Sequence, residues 1–203
     1  MLYSFKPTTL ALAVSLICSA ATAQEFDISS PTSNQNILAG IYNPAADFAE
    51  DISIKAQQVA NTATSIYGYN DTTGNDRNIN GNLNIDITDV NHDPKVWALR
   101  LQNASKLNVN GDTAIAVKTD TALAVGVLVY QGGSSLDLSN SATTVNVSSD
   151  TGRVMGIDVE QGGQVILGKT TVNLNVGATN AGGGYAGYKD CIQLKVRQLL
   201  KMM

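Results

Sequence analysis

Few residues in this chain are equipped for chemistry. There is one histidine, His92, and there are two cysteines, Cys18 and Cys191. His92 lies in the run Asp89-Val90-Asn91-His92-Asp93-Pro94. Paired with Asp93 it would make an acid–base couple or part of a metal site. The same run is also a solvated turn closed by a proline, and that reading is preferred. A Cys/His zinc centre takes four ligands, more than these residues supply. A Ser-His-Asp triad is open on residue types alone, but neither a Gly-x-Ser-x-Gly elbow nor a Gly-Asp-Ser-Gly run is present. The Ca²⁺-binding nonapeptide, with its glycines and Asp at fixed offsets, is absent as well. No catalytic, cofactor-binding or metal-ligating set is therefore assigned, and the chain is not read as an enzyme.

The elements that would have to position any such residue are short alternating segments. Asn82-Leu83-Asn84-Ile85-Asp86-Ile87, Thr144-Val145-Asn146-Val147 and Thr171-Val172-Asn173-Leu174-Asn175-Val176 each alternate polar and apolar residues. That is the period of a half-buried strand. Their apolar residues recur across the chain. Ile85, Ile115, Val145 and Val172 form one series, Ile79, Val109, Leu138 and Leu167 a second, and Tyr69, Leu99, Val127 and Ile157 a third. All three repeat at close to 29 residues, and a fixed period of 20–50 residues marks a solenoid, propeller or array. Three series in one period predict three short strands per repeat.

Alternation alone would suit antiparallel hairpins wetted on one side. The tripeptides Gln131-Gly132-Gly133 and Gln161-Gly162-Gly163 argue against them. They stand at the same phase of successive repeats, each between two apolar pairs. A turn at constant phase is expected if every strand stacks on its equivalent one coil away, and glycine there allows positive φ at a sharp corner. The crossover that parallel neighbours need is then the rest of the coil. The expected fold is all-β, a right-handed parallel β-helix of roughly four to five coils spaced about 4.8 Å apart.

Composition agrees. Of 203 residues 43 % are apolar, enough for a core, and only 15 % are charged, well under the usual quarter. Asn, Thr, Ser and Gly take the place of charge. Aromatics are 5 %, which suits a thin aliphatic core. A net charge of −4 speaks against nucleic acid, whose binders carry basic patches.

The expected organisation has four parts. Residues 1–23 read as a signal peptide. Lys6 supplies the positive start, Leu10 to Ala21 a short apolar run, and Ala21-Thr22-Ala23 a small-x-small cleavage site, so that Gln24 would begin the mature chain. Cys18 follows Ile17, too large for a lipobox, and is read as part of the signal. No later stretch is long and apolar enough for a membrane helix. Residues 24–50 read as an N-terminal lead-in or cap, with Asn70 to Arg77 as a turn between coils. A strand from Ile52 competes with a helix over 45–60, and the strand is preferred. Repeats fill 51–180. In the divergent tail, 181–203, Ile192, Val196, Leu199, Leu200 and Met203 carry helical spacing. A capping helix, a membrane-surface helix and the out-of-frame end of an interrupted gene all remain open for it. With Cys191 as the one cysteine left after cleavage, no intramolecular disulfide is available.

The signal ending Ala-Thr-Ala and the repeats Val129-Tyr130-Gln131-Gly132-Gly133-Ser134 and Val159-Glu160-Gln161-Gly162-Gly163-Gln164-Val165 resemble the passenger region of a Gram-negative autotransporter of the pertactin-like class. The resemblance covers about 66–180. It implies a right-handed parallel β-helix, export by the general secretory route, and display or release at the outer membrane. It also implies an adhesin-like role toward host-cell surfaces or neighbouring bacterial cells. The family's C-terminal membrane barrel is missing from this sequence, so a truncated passenger or a periplasmic product is the expectation.

Two functions then compete. One is a surface binding protein. The other is a glycan-cleaving β-helix, since some parallel β-helices cut acidic polysaccharides with clustered carboxylates and a basic residue. Asp86, Asp137, Asp158 and Glu160 would face outward on strands, isolated rather than clustered. Asn108, Asn146, Asn173 and Asn175 read as outward polar ladders. Three or more carboxylates meeting a Lys or Arg in one groove would favour the enzyme. Dispersed Asn, Thr and Ser would favour binding. A truncated passenger with no function of its own is the third possibility.

Overall fold

The computed structural model describes residues 23–28, 37–57, 64–88, 95–120, 123–176 and 195–196. In chain order the strands are β1 (Gln24–Asp27), β2 (Ile37–Tyr42), β3 (Ile52–Gln57), β4 (Ser65–Asp71), β5 (Asp76–Ile79), β6 (Leu83–Thr88) and β7 (Lys95–Leu101). They continue as β8 (Lys106–Val109), β9 (Thr113–Thr119), β10 (Ala124–Tyr130), β11 (Ser135–Ser149), β12 (Val154–Glu160), β13 (Gln164–Val176) and β14 (Lys195–Val196). Every pairing among them is parallel.

The pairings sort into three faces. The first stacks β2, β4, β7, β10 and β12. The second stacks β5, β8, the start of β11, the start of β13, and β14. The third stacks β1, β3, β6, β9 and the remainders of β11 and β13. The chain crosses the faces in that order and returns one rung along, about four turns in all. This is the parallel β-helix that the 29-residue period predicts.

The register reproduces the apolar series. Ile85 pairs with Ile115, Ile115 with Val145 and Val145 with Val172. Tyr69 pairs with Leu99, Leu99 with Val127 and Val127 with Ile157. Ile54 pairs with Ile85, so the strand reading from Ile52 holds. Ile54, Ile85, Leu99, Val127 and Val145 are fully buried, and each such side chain contributes roughly 1.5–3 kcal/mol. At the start of the third face the ladder turns polar. Ile52 and Leu83 give way to Thr113 and Thr143, tied through Ser141, whose hydroxyl donates to Thr113 Oγ1 at 3.0 Å.

One column is built of the smallest residues. Gly40, Gly68, Ala98, Gly126 and Gly156 occupy the middle of the first face, and glycine is needed there for close approach. A Cβ on Gly68 would lie 2.6 Å from Ile85 Cγ2, and one on Gly126 would lie 2.5 Å from Val145 Cγ1. The first and third faces thus press together, and the large residues of the third fill the space that the first leaves.

Corners are held by side chains that reach along the axis. Asp51 Oδ1 accepts the backbone N–H of Asn82 at 2.8 Å, Asn82 Oδ1 that of Asp112 at 2.8 Å, and Asp112 Oδ1 that of Ala142 at 3.0 Å. Asp47 takes both the backbone N–H and the side-chain amide of Asn78 at 2.9 Å. Asn108 donates to Asn78 at 3.3 Å, and Asn110 to Asn80 at 3.0 Å. At the corner between the first and second faces, Gln131 and Gln161 take positive φ along with Gly133 and Gly162. Asn103 and Ala104 do the same one coil earlier.

Several boundaries move. The parallel pairing reaches back to Gln24, since β1 pairs with β3 and β2 with β4. Residues 24–27 and 37–42 are therefore coil strands rather than a separate cap. Asn70 and Asp71 end a strand and Asp76 and Arg77 begin the next, so the turn between them is a four-residue corner inside a coil. Asp71 is fully buried there, its Oδ1 accepting the Thr73 N–H at 2.9 Å and the Thr73 hydroxyl at 2.7 Å. The helical spacing in the tail is overridden at Lys195 and Val196, which are extended and pair with Ile166 and Leu167, 29 residues back. The edge of β13 offers unpaired backbone groups, and the coil period brings 195–196 onto them. The rest of that stripe, with Cys191, lies outside the described residues.

Candidate functional site

The outward sides of the three faces differ. On the first face Tyr67 stacks on Trp97, with centroids 5.2 Å apart and planes 13° from parallel. The Arg100 guanidinium lies 5.3 Å from the Tyr67 ring, and Nη1 donates to the Tyr67 hydroxyl at 3.1 Å. Val125 and Met155 continue the column, and both are buried. The second face carries the Asn ladder and an exposed ion pair, Lys106 Nζ to Asp76 Oδ1 at 3.1 Å.

The third face holds a groove. It is open, about 380 Å³, and lined by Thr88, Lys118, Asn146, Ser148, Asn173 and Asn175, with Ala116, Val117 and Val147 as its floor. The alternation that sends Ile85, Ile115 and Val145 inward sends these polar residues out. Asn173 Nδ2 donates to Asn146 Oδ1 at 2.8 Å across the rung. Ser148 donates to the Val117 carbonyl at 3.4 Å. The lining offers amides, hydroxyls and one cation, Lys118, and no carboxylate.

The four candidate carboxylates do not converge. Asp86 is half-buried on the third face, in register with Lys55 and Ala116. Asp137 is on the second face, where its Oδ1 accepts the Ser139 N–H at 2.9 Å. Asp158 and Glu160 belong to the first face. Asp158 is only 5 % exposed, which corrects its reading as a solvent-facing charge. It pairs in register with Leu128 on the first face. Asn146, Asn173 and Asn175 share the groove, and Asn108 sits apart on the second face. His92, Asp93 and Cys18 lie outside the described residues. Among the described residues no three His, Cys, Asp or Glu side chains are grouped to hold a metal ion.

One strongly perturbed titrating group among the described residues is sealed inside. Burial, and then the charge of Asp71, push the Tyr69 phenol well above its ordinary range. Tyr69 and Asp71 are both fully buried, so no substrate reaches them.

Gly163-Gln164-Val165-Ile166-Leu167-Gly168-Lys169-Thr170 spells the phosphate-loop pattern G-x-x-x-x-G-K-[ST]. Phosphate binding needs a curled loop of backbone N–H groups opening a helix. Here residues 164–176 are strand, paired residue by residue with β11, so the letters match without the geometry. Sequence reading also missed Ala116, Lys118, Thr88 and Ser148. The available signal was Thr113-Ala114-Ile115-Ala116-Val117, a strand with alanine where its neighbours carry Asn, Asp or Thr.

The fold and groove define the class as a parallel β-solenoid with a polar groove on one sheet face. Compared with family models, curated proteins and solved structures, the chain finds no match in any of the three.

Proposed function

We propose that this is an exported surface binding protein, an adhesin of the autotransporter-passenger kind that contacts a host-cell surface or neighbouring bacterial cells. The observation that carries the reading is the groove on the third face, with amides, hydroxyls and Lys118 in its lining and no carboxylate. Such a surface forms hydrogen bonds with a ligand but holds no acid–base pair of the sort that glycosidic cleavage needs. The glycan-cleaving alternative draws on Asp86, Asp137, Asp158 and Glu160, and these are spread over three faces. Export rests on the 1–23 signal pattern, and kinship with passengers rests on the repeat pattern and the solenoid that it implies.

The test is attachment of the purified exported chain to bacterial and epithelial cells, run beside reducing-end assays on neutral and acidic polysaccharides. Saturable attachment without new reducing ends supports the proposal. Chain cleavage that Asp86→Asn abolishes would replace it with the enzyme.

A further inference from the structure

The third face ends differently at the two ends of the solenoid, and the two endings match. At one end the last strand is β1, which pairs with β3 alone. Its inward residues Phe26 and Ile28 are half-buried, whereas Ile54 and Ala56 one rung on are fully buried. At the other end the face stops at residues 169–176 of β13, because β14 reaches only Ile166 and Leu167 on the second face. There Val172 and Leu174 are half-buried, whereas Val145 and Val147 one rung back are buried. The half-covered residues belong to the same columns. Phe26 is in register with Ile54, and through Ile85, Ile115 and Val145 with Val172. Ile28, whose N–H donates to the Lys55 carbonyl at 2.9 Å, follows Phe26 toward the column that closes on Leu174. Among the described residues no third-face strand shares the rung of β14, and no second-face strand shares that of β1.

We infer that these ends form an interaction surface for a second copy of this chain, with β1 of one copy laid as the next third-face strand on residues 169–176 of another. An open sheet edge is a template for pairing, and a solenoid needs its terminal coils covered. Register sets the contacts. The partner's Phe26 covers Val172, the partner's Ile28 covers Leu174, and the partner's Asp27 comes opposite the amide of Asn173. Charge agrees with this. Glu25 and Asp27 bring two carboxylates, while residues 169–176 bring Lys169, Asn173 and Asn175 and no carboxylate. The rival occupant is the end of the same chain, residues 197–203, which follows β14 toward the same edge. It carries Arg197 and Lys201, so it sets positive charge beside Lys169 where β1 sets negative charge. The contact between copies is heterologous, since the surface given at one end differs from the surface taken at the other. Each added copy leaves a fresh end, and such contacts build open filaments rather than closed dimers.

The experiment is sedimentation velocity on the full exported chain over a range of concentrations. A series of oligomers that lengthens with concentration is expected. Val172→Lys blocks one end and Phe26→Lys the other, so each variant alone should stay monomeric. Their equimolar mixture should form a dimer and go no further, because it holds one intact pair of ends. Asn173→Asp is an exposed change that sets a carboxylate against the partner's Asp27. It should weaken assembly about tenfold or more, and it decides the matter alone if either lysine variant unfolds. Monomers at every concentration, a wild-type series that stops at two, or assembly unchanged in the variants overturns the inference. So does a mixture of the two folded lysine variants that stays monomeric. Assembly that appears only after residues 197–203 are removed overturns it in favour of capping by the chain's own tail.

Discussion

Asp47 shows how much of the coil stacking is electrostatic. Its carboxylate accepts the Asn78 side-chain amide and backbone N–H, and those bonds, the side-chain one foremost, hold its pKa below the usual aspartate range. A carboxyl depressed in the folded state stabilises the fold above its unfolded pKa, and the contribution disappears as pH falls through the folded value. Unfolding midpoints measured from pH 5 down to 2 should therefore fall, and Asn78→Ala should flatten that fall. An equal acid slope in the variant would mean that Asp47 plays no part. At the same scale, Ala104 has φ of 65°, a conformation costing a non-glycine residue roughly 1–2 kcal/mol. Ala104→Gly should raise the thermal midpoint; an unchanged or lower midpoint would show that the corner is unstrained.

At the scale of the strand, the fold depends as much on small residues as on large ones. Gly126 leaves its space to Val145, and Gly126→Val would force a branched side chain into a filled core. Overpacking of this sort costs typically 1–3 kcal/mol, and denaturant unfolding would show a midpoint reduced to match; an unchanged midpoint would mean that the faces are less tightly pressed. The aliphatic ladders were legible in the sequence because Ile, Val and Leu recur at equal phase. The Gly40–Gly156 column was not, since glycine adds nothing to an apolar series. The groove escaped for a related reason. Ala116 opens it by what it lacks, and a search for reactive groups passes over a missing side chain. Burial of Asp158 was hidden too, because alternation tells outward from inward but not whether an outward side is covered. The coil strands in 24–50 were masked by turn residues, with Phe26, Leu38 and Ile41 too widely spaced to read as a repeat.

For the whole molecule the sequence-level expectation of export has a direct check. Mass spectrometry of material recovered from the periplasm or medium should find Gln24 at the N-terminus. A mature chain starting at Cys18 would instead indicate acylation. In the described structure β1 begins at Gln24 and pairs with Ile52, so the expected cleavage point coincides with the first rung of the solenoid.

Because the registers link residues 27 to 31 positions apart, each coil is tied only to the ones directly before and after it. Pulled by its two ends in an optical trap, such a chain should not give way all at once. It should peel in a sawtooth, one winding per tooth, each releasing roughly 100 Å of slack from about 29 residues at 3.3–3.6 Å apiece. Teeth of that size at either end of the tether would make the protein a ratcheted spring, able to yield under shear at a surface and rewind when the load drops.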